Sequence, residues 1–82
     1  MTRDELAELD PDLLFADGFD EAILGVAERC GSPLVVVYDY DKCVESLMKD
    51  GMNEDEADEW MGFNVTGAYV GERTPWFLRR TP

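Results

Sequence analysis

The chain has 82 residues and a formal charge of −12, from nineteen acids against seven bases, with no histidine. That length holds one hydrophobic core and leaves no room for a second domain, and the charge disfavours nucleic acid and anionic membranes as direct partners while favouring basic protein surfaces. With 45% hydrophobic residues, including four Phe, three Tyr and two Trp, the composition is that of a folded globule with a charged skin, because acidic disordered chains are poor in aromatics.

Taken in chain order, Thr2-Arg3-Asp4-Glu5 has the form of a capping box. Leu6 and Leu9 follow, so a short helix is expected to end at Asp10-Pro11. Residues 11–15 suit one tight turn that anchors Leu13, Leu14 or Phe15, and Asp17-Gly18 marks another turn. Residues 21–30 are ambiguous. Phe19, Ile23, Val26, Ala27 and Cys30 recur at helical spacing, yet Gly25 sits in the middle and a dense apolar run follows directly. We favour a strand, joined through residues 29–33 to a central strand over residues 33–39.

Two helices come next. Asp39 or Asp41 caps the first, with Tyr40, Val44, Leu47 and Met48 inward and an end at Asp50-Gly51. Asn53 caps the second, with Glu56 at the capping-box position and a stripe through Ala57, Trp60, Met61 and Val65 that ends or frays between residues 66 and 70. Trp76-Phe77-Leu78 reads as a last strand. The expected fold is α+β: a small antiparallel sheet of about three strands packed against two main helices, with a short N-terminal helix.

Nothing resembles a targeting segment, and the longest apolar run, residues 34–38, is far too short to span a membrane. A cytoplasmic location is therefore expected, with Cys30 and Cys43 as reduced thiols. No metal is expected, since there is neither histidine nor Cys-x-x-Cys. Asp39-Tyr40-Asp41 opens like a calcium loop, but Val44 stands where the sharp turn needs glycine, and helix capping explains both aspartates better. Gly67-Ala68-Tyr69-Val70-Gly71 lacks the Lys-Ser/Thr ending of a phosphate cradle. Without a nucleophile–base pair, no enzymatic activity and no cofactor are expected.

Asp50, Glu54, Asp55, Glu56, Asp58 and Glu59 place six carboxylates within ten residues. On a helix Glu54 stacks on Asp58 and Asp55 on Glu59, where like charges repel by a few tenths of a kcal/mol, roughly, per pair. Two readings stand. Such a row imitates a phosphate strand and suits an Arg/Lys groove made for nucleic acid; alternatively it is a solvated face whose first-turn acids answer the helix dipole. A halophilic host would also supply high acid with two Lys and five Arg. Trp60 reads as core, and Trp76 as half-exposed, forming with Arg79 and Arg80 a second candidate surface.

Several stretches together resemble a group of short proteins encoded in bacteriophage and prophage genomes. They are the run from Asp17-Gly18-Phe19 to Val26, Val36-Val37-Tyr38-Asp39 with Lys42-Cys43, Asp50-Gly51-Met52, and Phe63-Asn64-Val65-Thr66-Gly67-Ala68-Tyr69-Val70-Gly71-Glu72 with Thr74-Pro75. The resemblance implies a virus-type accessory protein of α+β fold and brings no site residues with it. The functional expectation is a non-enzymatic inhibitor of a host protein, an anti-CRISPR or other anti-defence factor. Its partner-binding residues would be Asp50, Glu54, Asp55, Asp58, Glu59 and Trp76. The alternative is a phage assembly or replication module, homodimeric through its C-terminal strand.

Overall fold

Side-chain caps set the start of each α-helix. The computed structural model describes residues 2–80, with Thr66 described by its backbone alone. Helix α1 (Arg3–Leu9) opens with the capping box: the Glu5 amide donates to Thr2 Oγ1 at 3.3 Å and the Thr2 amide to Glu5 Oε1 at 3.1 Å. Helix α2 (Tyr40–Lys49) is capped by Asp39, and α3 (Glu54–Met61) by Asn53 in a second capping box with Glu56. Of the two aspartates that could start α2, Asp39 does so.

Residues 21–30 resolve in favour of a strand. A 3₁₀ turn (Asp20–Ala22) leads into β1 (Ile23–Ala27), which pairs antiparallel with β2 (Val35–Asp39). The register shifts between Ile23 and Gly25, a bulge that inserts Leu24, and Gly25 takes φ +151°, which a side chain would strain. The glycine that weakened the helical reading thus serves the strand's irregularity.

The third strand corrects one expectation. β3 (Trp76–Leu78) runs parallel to β2, with Val37, Tyr38 and Asp39 opposite Trp76, Phe77 and Leu78. The sheet is mixed, in order β1-β2-β3, and not antiparallel throughout. Two helices intervene between β2 and β3, and together they carry the chain back to the starting end of β2, which is the crossover a parallel pair requires.

One face of the sheet supplies the core. Val36 and Tyr38, both fully buried, point with Ile23, Val26 and Phe77 towards Leu6 of α1, Cys43 and Leu47 of α2, and Ala57 and Met61 of α3. Tyr38 stacks on Phe77 with centroids 5.4 Å apart, and its hydroxyl accepts a 2.7 Å hydrogen bond from the Ala16 amide, which anchors the loop after α1. Cys43 takes the inward place expected for Met48, which is exposed; Val44 is half-buried. Trp60 lies at the core margin, 36% exposed and edge-on to Phe19, and not inside the core as its spacing suggests.

Past Met61 the helix widens into a π-helical turn (Gly62–Thr66). The backbone of Gly67 then lies so close to the Gly62 carbonyl that a Cβ at 67 would overlap the oxygen. Four of the five arginines tie distant segments together. Arg3 bridges Asp17 and Asp20, Arg73 bridges Asp10 at 2.9 Å, Arg80 bridges Asp39, and Arg79 covers an aromatic ring. Among the described residues no helix is long and apolar enough to cross a membrane, and no group of three or more His, Cys, Asp or Glu is placed to hold a metal ion.

Two outcomes check this packing. Tyr38→Phe leaves the Ala16 amide without its acceptor and should lower stability by about 1–2 kcal/mol in urea denaturation. Burial, reinforced by the Asp39 charge, pushes the Cys43 thiol up to about 12. Its contribution to stability is therefore complete below the ordinary thiol range and is lost as pH rises towards that value. The denaturation midpoint should fall between about pH 8 and about pH 11, and in the native protein iodoacetamide should label the exposed Cys30 and spare Cys43.

Candidate functional site

β2 runs into α2 without a loop, so its last residue, Asp39, is also the helix cap. Asp39 Oδ1 accepts from the amides of Asp41 at 3.0 Å and Lys42 at 3.4 Å, and Oδ2 accepts from Arg80 Nη2 at 3.3 Å. The residue is only 4% exposed. A carboxylate withdrawn from water needs such partners, and the helix dipole adds to them. Through Arg80 the segment after β3 is drawn back to the start of α2.

The next residue, Tyr40, is the first of α2 and is nearly buried. Its hydroxyl donates a hydrogen bond to Asp58 Oδ1, which joins α2 to α3. The guanidinium of Arg79 lies over the Tyr40 ring, 3.9 Å from its centre. Burial first, and then the Asp58 carboxylate, raise the Tyr40 phenol above its ordinary range, with Arg79 opposing them. At neutral pH the phenol is a protonated donor.

These groups line a groove of about 340 Å³ between α2, α3 and the C-terminal segment. Four carboxylates line it, those of Asp41, Glu54, Asp55 and Asp58, against the two guanidinium groups of Arg79 and Arg80. α3 presents its acids here because Ala57 and Met61, at i and i+4, face the core and leave the opposite stripe in solvent. A second, more apolar cleft of about 430 Å³ runs beside β3, lined by Val37, Trp76, Leu78 and again Arg79. Arg79 is the boundary between the acidic groove and the apolar cleft.

Of the residues expected to bind a partner, Glu54, Asp55 and Asp58 come together in the groove, and Trp76, 52% exposed, stands in the adjoining cleft. Asp50 does not join them: it closes α2, with its amide donating to the Leu47 carbonyl at 3.1 Å. Glu59 is exposed on α3 and lines neither cleft. Sequence reasoning missed Tyr40 as a contact for arginine and Asp41 as a wall of the groove. The signal was the Asp39-Tyr40-Asp41 triplet, an aromatic flanked by acids at a helix start.

No protein-family model matches the chain, and no curated protein or solved structure matches it.

Because Asp39 serves two helix amides and a guanidinium, Asp39→Ala should cost about 1–3 kcal/mol of stability. Arg80 is largely exposed, so Arg80→Ala should cost less than about 1 kcal/mol. Equal losses in urea denaturation would mean that the ion pair, and not the cap, carries the junction.

Proposed function

We propose that the protein is a non-enzymatic inhibitor that binds a partner protein through basic side chains of a surface made to hold nucleic acid. One observation carries this reading: the groove already holds an arginine of its own chain. The Arg79 guanidinium lies over the Tyr40 ring in a groove that four carboxylates line, and Arg80 is paired with Asp39 beside it. An arginine from a partner finds the same receptor, a stacking face with acceptors around it, and exchanges with Arg79.

The surrounding charge supports the same partner class. Glu54 and Asp55 have no side-chain ion pair among the described residues, and the chain as a whole is at −12, which speeds encounter with a basic surface and repels nucleic acid. The apolar cleft at Trp76 and Leu78 adjoins the groove, so a partner segment lying along β3 would meet apolar and acidic surface in succession. The phage-type resemblance fits an anti-defence setting, with an anti-CRISPR factor as one such inhibitor.

Synthetic nona-arginine and nona-lysine carry equal charge and differ in planarity, so they separate stacking from simple attraction. Arginine should bind about five- to tenfold more tightly than lysine, the equivalent of about 1 kcal/mol of stacking. Both affinities should weaken as salt rises. The double substitution Glu54→Lys with Asp55→Lys should weaken nona-arginine binding at least about tenfold. Equal affinities for the two peptides, unchanged by that variant, would overturn the reading.

A further inference from the structure

Among the described residues, Arg29 is the one arginine whose guanidinium has no ion pair, hydrogen bond or aromatic ring. It begins the turn between β1 and β2. There the Ser32 amide donates to the Arg29 carbonyl at 3.0 Å, so Arg29 and Ser32 stand at the two ends of one tight turn. A second turn precedes β3. The Thr74 amide donates to the Gly71 carbonyl at 3.1 Å, and the Thr74 hydroxyl accepts from the Val70 amide at 2.9 Å. These bonds fix the backbone on either side of Glu72 and next to Tyr69.

Both turns line one cleft of about 340 Å³, with Arg29, Ser32, Val35, Tyr69, Glu72 and Trp76 among its walls. That volume is in the range of small-ligand sites, about 300–1,000 Å³. The cleft is on the side of the sheet away from the helices. Val35 and Trp76 alternate with Val36 and Phe77, which pack into the core, and Val35 is buried without belonging to that core. Its functional groups are unengaged. Tyr69 is 78% exposed and Trp76 52%, and among the described residues neither ring stacks on another or holds a cation. Glu72 shares the cleft with Arg29, yet neither forms an ion pair with the other or with any other described residue.

Two open aromatic faces beside a carboxylate suit a quaternary ammonium group, which is attracted to the rings and balanced by the acid. A guanidinium beside a hydroxyl suits an anionic oxygen group. We propose that this cleft binds a small zwitterion, in which a quaternary ammonium group is joined by a short linker to a carboxylate or phosphodiester. The ammonium end meets Tyr69, Trp76 and Glu72, and the anionic end meets Arg29 and Ser32. Net charge selects the same class. A lone anion is repelled by a chain at −12 and a lone cation meets Arg29, whereas a neutral zwitterion escapes both penalties.

The inference is independent of the acidic groove, and salt separates the two: nona-arginine binding weakens as ionic strength rises, whereas binding of a neutral ligand changes little. The probes are glycine betaine and glycerophosphocholine, titrated into the whole chain and followed by the indole N–H resonance of Trp76. Trp60, which lines a different cleft, is the internal control. At least one probe should move the Trp76 resonance and leave that of Trp60 in place, with a Kd of about 1 mM or tighter. Glycine, which lacks the methyl groups, and choline, which lacks the anion, should each bind at least about tenfold more weakly. Tyr69→Ala and Arg29→Gln, both at exposed positions, should each weaken the bound probe at least about tenfold and leave the circular dichroism spectrum unchanged. Flotation with phosphatidylcholine vesicles separates the sources: a protein that floats takes the group as a lipid headgroup, and one that stays behind takes it free. No shift of Trp76 at about 20 mM of either probe, equal affinity for choline or glycine, or tighter binding of adenosine monophosphate would overturn the proposal.

Discussion

A buried carboxylate at the junction of β2 and α2 organises this small domain. Asp39 must be satisfied where it stands, and its three donors come from the first turn of α2 and from the C-terminal segment. Meeting that demand starts the helix without a loop and holds the segment after β3 against it through Arg80. The residues on either side extend the effect. Tyr38 stacks on Phe77 and anchors the loop at Ala16, while Tyr40, buried at the edge of the groove, joins α3 through Asp58 and receives Arg79. Three consecutive residues thus connect the sheet, both main helices and the Arg79-Arg80 segment.

The same junction changes the meaning of the negative charge. Several acids have local tasks: Glu5 and Glu56 close capping boxes, Asp10 holds Arg73, and Asp39 caps α2. In a protein of this size, where the core buries only about 60–65% of the chain's surface, such links matter more than they would in a larger one. The hydrogen bond from Arg73 keeps Asp10 below the ordinary carboxylate range, so that link weakens as pH falls through the carboxylate range. What remains is not a uniform acidic row. Glu54 and Asp55 are left to face the groove, Asp58 is engaged by Tyr40, and Asp50 and Glu59 lie elsewhere.

Elements with local signals were legible in the sequence. Both capping boxes, the end at Asp50-Gly51 and the short last strand follow from adjacent residues, and each stands where those residues put it; adjacent residues narrow the α2 cap only to Asp39 or Asp41, and the structure selects Asp39. The orientation of β3 was not legible, because a three-residue strand carries no mark of direction and its sense is set by how two helices return the chain. The exchange of Cys43 for Met48 on the inner face of α2 has a similar origin: the helix starts directly on β2, so the strand fixes its rotation. The groove joins Tyr40 to Arg79, which no periodicity within one element relates; only its carboxylates, on one face of α3, were open to a spacing argument.

The central claim is that the Tyr40 groove is a receptor for arginine, occupied within the chain by Arg79 and open to exchange. The side-chain proton resonances of Arg79 test it directly, since a guanidinium 3.9 Å above a ring is shifted upfield by the ring current. In the free protein those resonances should lie clearly upfield of the random-coil position. Titration with nona-arginine should move them to that position as the peptide's own arginine takes the ring. Arg79 resonances at the random-coil position in the free protein, or shifted resonances that stay fixed at saturating peptide, would contradict the account.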